Sequence, residues 1–240
     1  MDPGPQNAAE PRAGSSPRWG LGDFFLVYFA GLVVSFVGLA VGVAITGDES
    51  GHLGALSVAL AAGGQFGGWF GAIAVVARTK GHSLRRDFGF TVRISAWWGV
   101  FVGLGLFLVG SLMILPIVEI INNEHQQVAD DLADATGAKL VVLVVLAGLL
   151  APVVEELLFR GLLLRALRRR IEPTAAIAVQ ALVFAFVHPL LSPSLGDLAV
   201  VPALFLLATA SGIASETTGD LSASILMHIG FNLVTTLAAL

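Results

Sequence analysis

The residues of this 240-residue chain that could do chemistry lie inside apolar stretches: Glu155, Glu156, Arg160, His188 and His228. A glutamate beside histidines can take a proton from water and return it to a leaving group, and one glutamate with two histidines can also hold zinc. An ionised side chain in the middle of a bilayer costs at least about 2.5 kcal/mol, so such residues are usually functional there.

The two adjacent glutamates differ in the partners that their own helix offers. Glu156 and Arg160 are four residues apart in the order that favours an ion pair, which is also a purely structural role. Glu155 has no such partner, because position 159 is a phenylalanine. We therefore expect the partners of Glu155 to come from other helices.

The buried histidines each share a predicted helix face with a second side chain. Phe184 and His188 are four apart in "FAFVH", and His228 and Asn232 are four apart in "HIGFN". Taken singly, a membrane histidine or asparagine often only bonds a neighbouring helix. We interpret the set as a site because the sequence also predicts a common depth for it.

The composition is that of a membrane protein. Hydrophobic residues make up 56% of the chain and charged residues 12%, against about 25% charged residues in soluble domains. There is no cysteine, which excludes disulfides, thiolate metal sites and a cysteine nucleophile. With a net charge of −4, the expected partner is the lipid bilayer and not nucleic acid.

The predicted fold class is all-α, a polytopic bundle of about seven transmembrane helices. Residues 1–20 are predicted to be a disordered cytoplasmic tail, and residues 21–240 a single transmembrane domain. No internal repeat is evident. The apolar runs cover residues 24–46, 53–77, 95–118, 139–164, 173–191, 198–215 and 221–240, and the segment "HPLLSPSLGD" before the sixth run is predicted to be re-entrant or irregular.

Basic residues accumulate at one set of helix ends, which predicts a cytoplasmic N-terminus and an external C-terminus. The loops on the opposite side are acidic with one basic residue, Lys139. On the basic side are Arg12, Arg18, Arg78, Lys80, Arg85, Arg86, Arg93, Arg165, Arg168, Arg169 and Arg170. On the acidic side are Asp48, Glu49, Glu119, Glu124, Asp130, Asp131 and Asp134.

Residue counting places the polar groups at one depth. Glu155 precedes the turn at 171–172 by about as many residues as His188 follows it, so an antiparallel hairpin holds both at the same height. At 1.5 Å per residue, Glu155, His188 and His228 each lie roughly 12 Å deep, with Asn232 one turn deeper. The sequence therefore predicts a site in the cytoplasmic half of the bilayer.

These motifs resemble those of a known family. "EELLFR" matches E-E-x-x-x-R, "FAFVH" matches F-x-x-x-H and "HIGFN" matches H-x-x-x-N, in that order. The chain is similar to the CPBP family of intramembrane proteases, which includes type II CAAX prenyl endopeptidases, bacteriocin-processing enzymes and relatives often called Abi. The resemblance covers roughly residues 139–240, and the first three apolar runs carry no motif.

The resemblance implies hydrolysis of a peptide bond in a membrane-associated or lipidated, CAAX-like peptide at the plasma membrane. Because hydrolysis needs water, it also implies a polar cavity open to the cytoplasm. By position, Glu155 is expected to be the general base that activates water, with His188 helping to hold that water. His228 and Asn232 are expected to donate hydrogen bonds to the developing oxyanion.

Three further motif residues are expected to support this machinery. Glu156 and Arg160 would form an ion pair that orients the reacting groups, and Phe184 would lie on the helix face of His188. No cofactor is expected under a glutamate mechanism, and the H-E-x-x-H signature of zinc proteases is absent. Zinc held by Glu155, His188 and His228 is the alternative.

Other functions fit the sequence less well. A non-catalytic scaffold or immunity protein would not need the whole motif set, and a proton-coupled transporter is disfavoured by the missing repeat. "GLGD" at residues 20–23 has the form of an aspartyl-protease motif, but no second aspartate accompanies Asp23 in a predicted span.

Overall fold

The computed structural model of the chain describes residues 18–48, 53–120, 135, 137–190 and 195–237. No strand occurs in these ranges, which confirms the all-α prediction. The helices are α1 (Leu21–Thr46), α2 (Ala55–Lys80), α3 (Leu84–Phe88), α4 (Trp98–Ile120), α5 (Gly137–Arg168), α6 (Pro173–Val187), α7 (Leu195–Ala199), α8 (Val201–Thr218) and α9 (Ser222–Leu237), with a 3₁₀ turn at Ile94–Ala96.

Five of these segments are long and apolar enough to cross a membrane: α1, α2, α4 with its preceding turn, α5, and α8 with the end of α7. The apolar helices α6 and α9 are shorter. The fifth predicted run, 173–191, extends too far, because α6 ends at Val187. Pro189 has no N–H to continue the helical hydrogen bonds. The segment "HPLLSPSLGD" was predicted to be irregular. Its residues 191–194 lie outside the described ranges, and α7 follows them.

Helix α5, which carries both glutamates, is not a uniform α-helix. Residues 144–150 and 157–164 have π-helical geometry, and the α-helical segment Ala151–Glu156 lies between them. Pro152 accounts for the first irregularity, since its ring cannot donate a backbone hydrogen bond. Such π segments often occur at functional sites. Here they set the rotation of the glutamates relative to the rest of the helix.

Helices α4 and α9 approach closely because glycines face each other's backbone. A Cβ atom at Gly103 would overlap the carbonyl oxygen of Met227, and one at Gly230 would overlap that of Val100. Small residues at such crossings let membrane helices pack without gaps. This crossing fixes α9, and with it His228, against the rest of the bundle.

The basic helix ends form one packed layer, which we call the basic end: Trp19, Lys80, Arg93, Arg165 and Arg169 with their partners. Lys80 pairs with Asp23 at 2.6 Å, and Arg169 lies over the ring of buried Trp19. Residues 18–20, the last of the predicted tail, thus belong to the folded domain. Residues 1–17, the rest of that tail, lie outside the described residues.

Two aspartates at the basic end have structural partners. Asp23 accepts the Gly20 N–H at 2.9 Å besides pairing with Lys80, so "GLGD" caps a helix. Burial raises the pKa of Asp87, but hydrogen bonds from the backbone N–H groups of His82 and Ser83 outweigh this effect and hold the pKa below its usual value.

The start of α9 is tied to the segment before α4. Ser222 donates its hydroxyl to the carbonyl of Thr91 at 2.9 Å and accepts the N–H of Arg93 at 3.0 Å. Leu221 N–H also bonds the carbonyl of Gly89. These bonds determine how far α9, and therefore His228, enters the bundle.

Candidate active site

Glu155 lies between the two histidines that the sequence places at its depth. Its Oε2 atom is 3.9 Å from Nε2 of His188 and 3.7 Å from Nε2 of His228. These separations exceed those of direct hydrogen bonds and suit groups that share a third partner between them. The Glu155 side chain is 12% exposed and that of His188 is 33% exposed, so a substrate can reach them.

Each histidine ring is held by its other nitrogen. Nδ1 of His188 lies 2.7 Å from the carbonyl oxygen of Phe184, to which it can only donate. Nδ1 of His228 lies 3.0 Å from Oε1 of Glu156. With both Nδ1 atoms engaged, both Nε2 atoms are directed at Glu155.

Glu156 and Arg160 form the predicted ion pair, fully buried, with 3.0 Å between Oε1 and Nη1. Sequence reasoning did not find the second partner of Glu156, which is His228. The available signal was that adjacent glutamates point about 100° apart on one helix, so a histidine at their level could contact both. Glu156 therefore links the buried arginine to a ring that faces Glu155.

Phe184 is the centre of the packing around these groups. Its ring lies 4.7 Å from the ring of His188 and 5.6 Å from that of His228, measured between centroids. The guanidinium carbon of Arg160 lies 4.5 Å from the Phe184 centroid, a cation–π contact. Phe184 thus supports both histidines and covers the charged face of Arg160.

Asn232 and Glu155 line the same cavity. The Asn232 side chain also has a backbone partner on α5. Its amide donates to the carbonyl oxygen of Ala147 at 2.9 Å. In an α-helix that carbonyl would receive the Ala151 N–H, which instead bonds Leu146. In a π-helix it would receive the N–H of residue 152, which is a proline without one. Asn232 therefore supplies the donor that Pro152 removes, and its second amide N–H stays available.

Replacing Asn232 by alanine is expected to destabilise the protein by about 1–3 kcal/mol, because the Ala147 carbonyl loses its donor. Denaturant unfolding in detergent measures this. Ser111→Ala is the control: Ser111 lines the same cavity, but its hydroxyl bonds only its own helix, at Phe107. Adding Pro152→Ala, which restores an N–H, should recover part of the loss. Equal stability of Asn232→Ala and Ser111→Ala would contradict this role.

Glu155, His188, His228 and Asn232 line one cavity of about 600 Å³. Its other walls are mostly apolar, from α2, α4, α5, α8 and α9. They include Val58, Phe66, Phe107, Ile114, Leu143, Leu146, Ala203, Leu204 and Phe231.

The cavity extends away from the basic end, contrary to the predicted opening. On α5 its lining residues all precede or include Glu155, whereas residues 157–164 are buried in packed side chains. Phe159 and Phe184 close the other direction with an edge-to-face contact at 5.0 Å. In the described part of the chain, this cavity therefore does not open at the basic end, because large apolar side chains fill that space.

Asp197 on α7 also lines the cavity and was not among the predicted site residues. The sequence feature that could have indicated Asp197 is its position in "HPLLSPSLGD", the segment predicted to be irregular, where it is the one acidic residue. Apolar periodicity does not reveal such a residue, because α7 is too short to show any.

Zinc held by Glu155, His188 and His228 stays a prediction. Within the ranges that the structure describes, no three His, Cys, Asp or Glu side chains are grouped so that they could hold a metal ion. Cleavage in the presence of a chelator tests whether the site needs a metal ion.

The fold and the site define a class: a multi-pass helical membrane protein with a carboxylate–histidine centre at one end of an apolar cavity. Residues 137–234 match the family model for "Type II CAAX prenyl endopeptidase Rce1-like". This match confirms the resemblance seen in the three motifs and is consistent with a CPBP family intramembrane protease. Nothing matches this chain in the comparisons with curated proteins and with solved structures.

The matched family suggests CAAX-type endopeptidase activity, with a peptide or prenylated protein as substrate. Together with the five span-length helices, it supports a multi-pass membrane protein of the protease class of hydrolases.

Proposed function

We propose that this protein is a glutamate-type intramembrane endopeptidase that hydrolyses a peptide bond of a membrane-associated or lipidated peptide. One observation carries the proposal: two histidine Nε2 atoms lie 3.7 and 3.9 Å from a single Glu155 oxygen, with each ring held by its Nδ1 atom. A water bound among these three atoms would be positioned and polarised for attack.

In the proposed reaction, Glu155 takes a proton from this water while the oxygen attacks the substrate carbonyl carbon. His188 holds the water through Nε2. The carbonyl oxygen becomes an oxyanion, which protonated His228 stabilises through Nε2 while its Nδ1 stays on Glu156. Glu155 then passes its proton to the leaving nitrogen, and the C–N bond breaks.

Asn232 is proposed to be the second oxyanion donor. One of its amide N–H groups bonds the Ala147 carbonyl, and the other is proposed to reach the substrate oxygen. Because the first bond fixes the amide, the second donor needs little reorganisation during the reaction.

The shape of the cavity supports a substrate with an apolar part. A space of about 600 Å³ with mostly apolar walls, ending at Glu155, suits the lipid group or apolar side chains of a peptide. A soluble peptide without such a part would leave those walls hydrated and bind weakly.

We propose a plasma-membrane location with the basic end in the cytoplasm. His228 lies about 9 Å along α9 from Ser222, so the reacting groups would lie in the cytoplasmic half of the bilayer. The cavity would lead from them toward the outer half.

Purified protein in detergent is expected to cleave a quenched prenylated CAAX peptide or members of a peptide library. His228→Ala and His188→Ala should each lower kcat/KM by roughly 10²-fold or more, because the water and the oxyanion lose a partner. Exposed His82→Ala, at the basic end, is the control. Chelator should leave cleavage unchanged.

Two results would contradict this proposal. Folded protein that cleaves no peptide would favour a non-catalytic scaffold. Cleavage that chelator abolishes and zinc restores would instead overturn the metal-free chemistry.

A further inference from the structure

The ionisable side chains that line the cavity include acidic but no strongly basic groups among the described residues. Its ionisable lining residues are Glu155, Asp197, His188 and His228, and neither lysine nor arginine is among the described residues that line it. Glu155 and Asp197 carry carboxyl side chains. A peptide in this cavity therefore meets acidic groups at two positions.

Asp197 lies on the side of the cavity away from the basic end. It precedes α8, whose first turn contributes Ala203 and Leu204 to the wall, while α8 ends at the basic end with Thr218. The Asp197 residue is 9% exposed, so it is a buried acidic group, and charges interact more strongly there than at an exposed surface.

The surroundings of this end have the same sign. Among the described residues, Asp48 and Glu119 lie at the helix ends on this side, with one lysine, Lys139, near the start of α5. A peptide that approaches from this side meets a negative field, which attracts cationic groups and repels anionic ones.

We infer that the peptide taken by this site has a positively charged residue beside its apolar segment, and that Asp197 selects it. This inference rests on the proposed function and narrows its substrate. A basic residue entering with the apolar part would be attracted by the charge of Asp197, whereas an anionic group would be desolvated beside like charges.

One consequence concerns the end of the substrate. A CAAX sequence ends its chain, so a free carboxylate lies close to the cleaved bond. That carboxylate would have to sit in or near a cavity whose described lining residues include no lysine or arginine. The site is therefore better suited to a peptide that continues past the cleaved bond.

The test uses quenched peptides with one apolar segment, flanked by Lys or by Glu, each ending in a free acid or an amide. We expect wild type to show kcat/KM roughly tenfold higher for Lys than for Glu peptides, and higher for amides than for acids. Asp197→Asn should bring the Lys to Glu ratio close to one. Glu172→Gln, an exposed acid at the basic end, should keep the wild-type ratio.

A binding measurement separates this inference from the proposed function. Kd values of the same peptides for the Glu155→Gln protein do not require cleavage. Equal Kd or equal kcat/KM for Lys and Glu peptides, or a ratio that survives in Asp197→Asn, would overturn the inference. Binding that favours Lys through Asp197, without cleavage by wild type, would support the inference and overturn the peptidase function.

Discussion

Glu155→Gln is expected to lower kcat for peptide cleavage by roughly 10³-fold while the protein stays folded. Glutamine has nearly the same shape as glutamate but cannot take a proton from water. Its amide can still contact Nε2 of His188 and of His228, so the packing of the site should persist. The loss should appear in kcat more than in KM, because proton transfer occurs only in the transition state.

Glu155→Asp provides a second measurement. It retains the carboxylate but withdraws it by one methylene group from the two Nε2 atoms, so activity should fall by less than in Glu155→Gln. Single-turnover cleavage in detergent, with denaturant unfolding of the same samples, measures both variants. If Glu155→Gln cleaves at the wild-type rate, Glu155 is not the base. Loss of activity with loss of folding would be a structural effect.

Removing the charge of Glu156 is expected to be the most destabilising single change at the site, by about 3–5 kcal/mol. Both members of the Glu156–Arg160 pair are completely buried. Glu156→Gln leaves the Arg160 guanidinium without its counterion in an apolar environment, although the Phe184 ring still covers one face. Denaturant unfolding in detergent measures the free energy of unfolding.

The partly exposed pair of Arg168 and Glu216 is the matched control. Its atoms are 2.8 Å apart, but the side chains are 31% and 27% exposed. Glu216→Gln should therefore lower the free energy of unfolding by at most about 1 kcal/mol. If Glu156→Gln lowers the free energy of unfolding by no more than Glu216→Gln does, the buried pair does not stabilise the fold.

The double variant Glu156→Met with Arg160→Met separates stability from catalysis. Two apolar side chains can replace a buried ion pair without loss of stability, so folding should recover. Activity should stay low, because Nδ1 of His228 has lost its acceptor and the ring is free to turn away from Glu155. Recovery of both folding and activity would show that Glu156 has no positioning role.

Much of the site could be predicted because a helix advances by a constant rise per residue. The positions of the turn and of the helix starts were enough to bring Glu155, His188 and His228 to one level. The motif order predicted the family, and the Glu156–Arg160 pair followed from local spacing alone.

The tertiary structure decided what depends on rotation and packing. The π segments at residues 144–150 and 157–164 change the number of residues per turn. The direction in which each side chain of α5 points could therefore not be predicted by counting residues along the sequence. This rotation lets Glu156 reach His228 as well as Arg160, and lets Asn232 reach Ala147.

The direction of the cavity was also decided by packing. Sequence counting predicts depth along the membrane but not which side of a polar group is filled by its neighbours. Large side chains close the basic end, with Phe159 against Phe184, while the cavity lies beyond Glu155. Composition, the all-helical class, the motifs and the common level of the polar groups were thus available from the one-dimensional chain. The partners of each side chain and the direction of the cavity depend on how the helices rotate and pack.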